Sequence, residues 1–131
     1  MRVRVKKVLA ACCLVCVLAG CSNSGEAAGY TQVDAETAAQ MMADNEDEIV
    51  LDVRTPEEYA EAHIPEAINV PNETIGEDAI AELPDKAQLI MVYCRSGNRS
   101  KQAAEKLAAQ GYTNIVEFGG INDWQGETVA S

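Results

Sequence analysis

Two short and almost continuously apolar runs constrain the fold of this chain most strongly. They are IVLDV at residues 49–53 and QLIMVY at residues 88–93. Neither run shows the alternation of apolar and polar residues that marks a strand with one face in water. Runs of this kind are typical of parallel strands that are covered on both faces. The sequence therefore predicts a sheet whose central strands are buried from both sides.

Helical segments with clear start signals alternate with these strands. Asp34 can cap a helix over residues 35–44, and Thr55 precedes a proline and two glutamates that open another helix. Residues 100–111, with the sequence SKQAAEKLAAQG, have the strongest helix propensity in the chain. We therefore predict a single α/β domain, with an open parallel sheet flanked by helices on both faces.

The remaining elements are predicted from weaker patterns. A helix is predicted over residues 73–83, where Pro84 would end it, and a short helix is expected to carry Trp124. Three short strands complete the prediction, at residues 31–33, 67–70 and 114–117. The first of these strands is predicted to lie at an edge of the sheet.

The amino terminus has the composition of an export signal. MRVRVKK is basic, and the apolar run VLAACCLVCVLAG that follows it ends in small residues. That run is shorter than the roughly 18–20 residues that a membrane-spanning helix needs. Residues 1–20 are therefore predicted to be a signal peptide, with an uncut membrane anchor as the alternative.

Leu18-Ala19-Gly20-Cys21 closes this segment and resembles the lipobox of bacterial lipoproteins. The resemblance implies that a diacylglycerol is attached to the sulfur of Cys21 and that the signal is cut before this residue. Residues 21–29 would then hold the lipidated cysteine and a flexible tether, and residues 30–131 would form the folded domain. The expected location is extracytoplasmic, with the protein lipid-anchored to the bacterial cell membrane.

The net charge and the cysteine content limit the classes of function that this protein can have. The chain has 10 Lys and Arg against 21 Asp and Glu, and loss of the four amino-terminal cations would change the net charge from −11 to −15. An acidic surface of this kind repels nucleic acid. Cys12, Cys13 and Cys16 would leave with the signal and lipid would cap Cys21, so that Cys94 would remain as a free thiol. Such a thiol in an exported protein is either buried and inert or reactive.

The sequence around Cys94, YCRSGNRS, favours the reactive alternative. Cys94 lies between a predicted strand and a predicted helix, and ligands of open parallel sheets bind at the carboxyl ends of the strands. The helix amino terminus and the cations of Arg95 and Arg99 favour a thiolate, and Gly97 permits a tight turn. A buried inert cysteine is disfavoured because both arginines would have to lose their hydration.

CRSGNRS is similar to the active-site loop of the single-domain rhodaneses, a family of thiosulfate sulfurtransferases. IVLDVRTPEEYAEAHIPEAINVP, beginning at Ile49, resembles an earlier signature of the family, and Gly119-Gly120 with Trp124 resembles its last one. The resemblance covers about residues 30–126. It implies that Cys94 attacks the outer sulfur of thiosulfate, releases sulfite and keeps a persulfide, which a second substrate then removes.

The same resemblance assigns roles to the neighbouring residues. The loop expected to bind the substrate and the persulfide comprises Arg95, Ser96, Gly97, Asn98, Arg99 and Ser100. Arg95 would attract the thiosulfate anion, while Asp52 and Arg54 would support the loop. The implied partners are thiosulfate or another sulfane-sulfur donor, and a thiol, cyanide or a sulfur-carrier protein as acceptor. No metal, organic cofactor or nucleic acid is implied.

Two other functions compete with this interpretation. Cysteine phosphatases of related fold have five residues between cysteine and arginine, whereas Cys94 and Arg99 have four between them, which makes a tighter loop. This count disfavours a phosphatase. A persulfide carrier with little turnover of its own would use the same cysteine, and the sequence does not separate it from a free-standing enzyme.

The HIP phrase around His63 is interpreted as a structural turn, because no second residue has a spacing typical of metal ligands. Many members of the family have glycines where this chain has Ala62 and Glu66, as in GHIPGA. Side chains at these two positions are predicted to strain or reshape the turn.

Overall fold

One six-stranded sheet organises the described part of the chain, which is residues 25–27 and 29–131 of the computed structural model. The strands are β1 (Gly25–Ala27), β2 (Tyr30–Gln32), β3 (Ile49–Asp52), β4 (Ile68–Asn69), β5 (Ile90–Cys94) and β6 (Ile115–Gly120). Their order across the sheet is β1-β2-β6-β5-β3-β4, and the five strands from β2 to β4 in that order run parallel. The predicted α/β fold is confirmed.

The β1 strand changes the predicted edge of the sheet. Gly25–Ala27 pairs antiparallel with Tyr30–Gln32, so β2 lies inside the sheet, and its prediction as an edge strand is wrong. Gly29 makes the reversal with a φ of +89°, a conformation that glycine adopts without strain. The paired backbone therefore begins within the segment predicted as a tether. The predicted signal at residues 1–20 and Cys21 lie outside the described residues.

The described residues form three α-helices, of which the first two begin where the start signals predict them and the third begins at Asn98, two residues before its predicted start. They are α1 (Ala35–Asp44), α2 (Pro56–Glu61) and α3 (Asn98–Ala109). The Asp34 side chain accepts the Thr37 N–H at 2.8 Å and so caps α1. In α2, Thr55 and Glu58 form a complete capping box, in which each side chain accepts the backbone N–H of the other residue. These local bonds fix the entry of α1 and α2.

Both faces of the sheet are buried, as the apolar runs predict. One face carries Leu51, Ile90 and Val92, which belong to the same apolar cluster as Ala104 and Leu107 of α3. The opposite face carries a second cluster, which α1, α2 and the end of the chain cover. The strands contribute Val50, Met91, Tyr93, Val116 and Phe118, and the covering segments contribute Ala38, Tyr59 and Trp124. Because successive strand residues point to opposite faces, β3 and β5 must be apolar at almost every position.

The predicted helix over residues 73–83 is wrong. The segment contains a short 3₁₀ turn at Asn72–Thr74 and then runs irregularly across the outside of the sheet. Ile75, Ile80 and Leu83 are all buried in the cluster beneath α3. On an α-helix, residues five apart differ by about 140° in direction, so Ile75 and Ile80 would not face the same core. Burial of these side chains therefore prevails over local helix propensity.

The turn around His63 is structural, as predicted. His63 exchanges two backbone hydrogen bonds of 2.8 Å with Val129, and its ring stacks on Tyr59 with a centroid distance of 3.8 Å. Glu66 has a φ of +72°, which confirms the predicted strain at that position, whereas Ala62 has a φ of −168° and is extended. Within residues 25–27 and 29–131, no helix has the length and apolar character needed to cross a membrane.

Candidate active site

Cys94 is the last residue of β5 and lies at the carboxyl edge of the parallel sheet. Three residues, Arg95, Ser96 and Gly97, separate it from the first residue of α3. The cysteine is 1% exposed and belongs to the apolar cluster beneath α3. One side of its side chain therefore contacts hydrocarbon, and the other side faces the turn.

The turn directs polar groups at the sulfur. The Gly97 N–H donates a hydrogen bond to Cys94 Sγ with a distance of 3.0 Å. The Ser100 hydroxyl oxygen lies 3.4 Å from the same sulfur. Gly97 has a φ of +110°, in the left-handed region that resists a side chain. The first N–H groups of α3 have no carbonyl partners within the helix, so this end of the helix can receive an anion.

A carboxylate absent from the predicted site connects the two loop arginines. Arg99 Nη1 lies 2.8 Å from Glu58 Oε1, and Arg99 Nη2 lies 3.2 Å from Glu58 Oε2. Arg95 Nε reaches Glu58 Oε2 at 3.3 Å, although the Arg95 side chain is 57% exposed. The hydrogen bond from Arg99 holds the pKa of the Glu58 carboxyl well below its usual range. Glu58 thereby joins the capping box of α2 to the loop around Cys94.

A second carboxylate lies beneath the loop. Glu117 of β6 is 2% exposed, and its Oε2 accepts the Ser100 hydroxyl at 2.5 Å and the Gly119 N–H at 2.9 Å. Gln32 Nε2 donates to the other oxygen of Glu117 at 3.3 Å. The sequence shows only an acidic residue inside an apolar strand, and this pattern could have marked Glu117 for attention.

Two glycines let the end of β6 approach the loop. A Cβ atom at Gly120 would lie 1.9 Å from the Arg95 carbonyl oxygen, so a side chain cannot fit there. The Asn122 N–H donates to the same carbonyl at 3.2 Å. Gly119 has a φ of +90° and follows Glu117 closely enough to donate to it. This contact explains the physical need for Gly119-Gly120 near the end of the chain.

Asp52 and Arg54 form a buried ion pair on the side of the sheet opposite to the Cys94 sulfur. Arg54 Nη2 lies 2.7 Å from Asp52 Oδ2, which also accepts the Tyr93 hydroxyl at 2.7 Å. Arg54 also donates to the Ala62 carbonyl at 2.6 Å, and its guanidinium lies over the Tyr93 ring. Burial raises the pKa of Tyr93. The pair therefore holds Tyr93, the residue directly before Cys94. The role of Asp52 and Arg54 in supporting the loop stays a prediction.

Most of the predicted loop residues meet at one of two points. Cys94, Gly97 and Ser100 are in direct contact, and Arg95 and Arg99 meet at Glu58. The two other predicted loop residues, Ser96 and Asn98, are exposed. Within residues 25–27 and 29–131, no three His, Cys, Asp or Glu side chains converge in a way that suits a metal ion.

Comparisons with known proteins agree with this geometry. The family described as "Rhodanese-like domain" matches residues 34–127. A protein named "Sulfurtransferase" from Allochromatium vinosum is 40% identical over 94 residues, which cover 71% of this chain and 86% of the relative. "Thiosulfate sulfurtransferase PspE" from Escherichia coli is 41% identical over 73 residues, which cover 56% of this chain and 70% of that protein.

One further relative and one solved structure extend the comparison. A protein named "Putative sulfur carrier protein YrkF" from Bacillus subtilis is 32% identical over 107 residues, which cover 81% of this chain and 57% of the relative. The solved structure is described as a rhodanese with anions from E. coli. It superposes with a TM-score of 0.59 at 38% identity and covers 64% of this chain and 99% of its own.

The family match spans most of the described residues, and relatives named as sulfurtransferases and as a putative sulfur carrier support sulfur transfer of the rhodanese type. This chain belongs to the rhodanese-like domain family.

Proposed function

We propose that this protein transfers sulfane sulfur from thiosulfate to a thiophilic acceptor through a persulfide on Cys94. The observation that carries this proposal is the Gly97 N–H, which points at the sulfur from 3.0 Å at the start of a helix. An N–H in this position stabilises a thiolate before the reaction and a persulfide after it. The name of the E. coli relative supports the choice of thiosulfate as donor.

The proposed reaction has two steps. In the first, the Cys94 thiolate attacks the outer sulfur of thiosulfate, the S–S bond of thiosulfate breaks, and its electron pair leaves with sulfite. In the second, the acceptor attacks the outer sulfur of the persulfide, and Cys94 returns as a thiolate. Cyanide as acceptor would yield thiocyanate. A covalent intermediate of this kind gives ping-pong kinetics.

Each loop residue has a role in this proposal. The exposed Arg95 side chain is free to turn toward an incoming anion, because an exposed ion pair such as that with Glu58 is weak. Arg99, held by two hydrogen bonds to Glu58, keeps the loop in place. The backbone amides of residues 95–99 and the Ser100 hydroxyl are the proposed donors to the outer sulfur.

A mass measurement tests the proposal. The purified protein is incubated with thiosulfate, and its intact mass is expected to increase by one sulfur atom. The Cys94→Ala variant should gain none and should not form thiocyanate from thiosulfate and cyanide. Absence of the added sulfur in the wild type, in a sample whose folding is verified by circular dichroism, contradicts the proposal.

The relative from B. subtilis gives a reason to test a persulfide carrier as the second candidate. A carrier would take up one sulfur on Cys94 and release it slowly to cyanide or a small thiol. Rapid and repeated thiocyanate formation favours the enzyme. Stoichiometric loading without turnover favours the carrier and directs the search to a protein acceptor.

We further propose that Cys21 carries a lipid that anchors the protein outside the cytoplasm. The lipobox-like sequence LAGC supports this proposal. Replacement of Cys21 by Ser is expected to prevent incorporation of labelled fatty acid and to move the protein from the membrane fraction to the soluble fraction. Continued membrane association without label would indicate an uncut signal segment instead.

A further inference from the structure

We propose that Glu117 is a positioning residue that accepts the thiol proton of Cys94 through the Ser100 hydroxyl. This inference rests on the proposed function, because it concerns how the nucleophile of that reaction is formed. The observation behind this proposal is a continuous row of three buried side chains joined by hydrogen bonds. Cys94 Sγ lies 3.4 Å from Ser100 Oγ, which lies 2.5 Å from Glu117 Oε2.

This hydrogen-bonded row has a defined direction, because the Ser100 hydroxyl has a single proton to donate. Three oxygens lie within reach of Ser100 Oγ: the Gly97 carbonyl at 3.0 Å, the Gly119 carbonyl at 3.3 Å and Glu117 Oε2 at 2.5 Å. The carboxylate is the nearest of the three and the only charged one, and charge-assisted hydrogen bonds are the strongest. The hydroxyl therefore donates to Glu117, and its lone pairs are left to accept the Cys94 thiol proton.

Burial favours such an internal path. Cys94 is 1% exposed, Ser100 0% and Glu117 2%, so very little of the surface of these three residues is in contact with bulk water. The other donors to Glu117, the Gln32 amide and the Gly119 N–H, are neutral. The ion pairs of the described residues involve Asp52, Glu58 and three arginines, and Glu117 takes part in none. Its carboxylate is thus buried without a cation in contact.

The proposed step conserves atoms and charge. The S–H bond of Cys94 breaks as its proton moves to Ser100 Oγ, while the original hydroxyl proton moves to Glu117 Oε2. A thiol and a carboxylate become a thiolate and a carboxylic acid. The hydroxyl proton of Ser100 now lies between Oγ and Sγ, so it donates to the thiolate together with the Gly97 N–H.

Other titratable groups lie around these three side chains. Arg99 of α3 acts on the Cys94 side, and Tyr30 of β2 on the Glu117 side. Lys101 of α3 and Asp34, Glu36 and Asp123 line a surface groove that Glu117 also lines. None of these side chains is among the hydrogen-bond partners of Ser100 or Glu117 that the structure describes. Their effect is a background field rather than a proton path.

The test is a pH titration of the ultraviolet absorbance of the Cys94 thiolate. The full chain is used, and the signal of Cys94→Ala is subtracted to remove the other cysteines and the tyrosines. Because two coupled sites share a proton, the wild-type thiolate signal should rise in two separate steps. Glu117→Gln keeps the shape and an acceptor for Ser100 but is always neutral, so the upper step, which belongs to the thiol beside a carboxylate, should disappear and the lower step should remain. Ser100→Ala breaks the hydrogen-bonded row in the middle and should give a single step at the pH of the upper one.

Glu105→Gln serves as the matched control, since this glutamate is exposed on α3 and should leave both steps in place. A single step in the wild type overturns the proposal, because the thiol would then ionise only after Glu117 is already a carboxylate. That pattern is expected if Glu117 only repels the thiolate. The titration is independent of thiosulfate: sulfur loading with a one-step titration refutes the proton path alone, whereas absent loading refutes the proposed function.

Discussion

Glu66 has a positive φ of +72°, and it is the only non-glycine residue in the described part of the chain that does. A side chain in the left-handed region costs about 1–2 kcal/mol, because Cβ approaches the following carbonyl. Glu66 is exposed and lies in the turn that joins α2 to β4. The chain therefore keeps local strain at a position where a glycine would relieve it.

Replacement of Glu66 by Gly is expected to raise the free energy of unfolding by about 1 kcal/mol, since the turn no longer holds a strained side chain. Urea denaturation measures the change. Ala62→Gly is the control: Ala62 is extended, with a φ of −168°, so added chain freedom should lower stability slightly. A stability loss in Glu66→Gly would show that contacts of this side chain outweigh its backbone strain.

At the scale of elements, α2 and the Cys94 loop depend on the same carboxylate. Glu58 caps α2 through the Thr55 N–H and binds Arg95 and Arg99. Hydrogen bonds from Arg99 hold the pKa of Glu58 well below its usual range in the folded protein. The stability that Glu58 contributes is therefore complete above its unfolded pKa of about 4.3, and it is lost as the pH falls toward the folded value.

Glu58→Gln is expected to cost roughly 1–3 kcal/mol of unfolding free energy at neutral pH, because charged hydrogen bonds to Arg99 are lost. The difference from the wild type should shrink below about pH 4, where the wild-type carboxyl begins to lose the same interaction. Urea denaturation at several pH values measures both. Glu57→Gln, at an exposed neighbouring position, should change little. If the stability loss in Glu58→Gln stays constant down to acidic pH, the role assigned to the Glu58 carboxylate is contradicted.

Elements that depend on local chemistry could be predicted from the sequence. The helices after Asp34 and Thr55 begin with side chains that bond their own first turns, and these bonds join residues that are only three apart in the sequence. Residues 73–83 could not be predicted in this way, because their path is set by where Ile75, Ile80 and Leu83 reach the core. The same holds at the site: Cys94 and its loop are contiguous, whereas Glu58 and Glu117 arrive from other elements.

At the scale of the whole molecule, the excess of negative charge destabilises the compact folded state. The chain has 21 Asp and Glu against 10 Lys and Arg, and four of those cations lie in the first seven residues. Mutual repulsion of like charges destabilises a folded state, and salt screens it over a Debye length of about 10 Å at 0.1 M. The few ion pairs described, of which two share Glu58, do not offset this excess.

Addition of sodium chloride from low to moderate concentration is therefore expected to raise the melting temperature by several degrees, equivalent to about 1 kcal/mol. Thermal unfolding followed by circular dichroism measures the shift. A neutral osmolyte at equal osmolarity is the control for effects that do not involve charge. A lower melting temperature in salt would mean that screening of the ion pairs at Glu58 costs more stability than screening of the overall repulsion restores.

The antiparallel pairing of β1 determines where the chain enters the sheet. Gly25 lies beside Gln32, at the same carboxyl edge that carries the Cys94 loop, and Gln32 in turn lies beside Glu117. Cys21 precedes Gly25 by four residues, a span of at most roughly 14 Å. With a lipid on Cys21, the reactive edge would sit close to the bilayer surface rather than point into open solvent. Acceptors that dwell at that surface would then meet the persulfide before freely diffusing ones do.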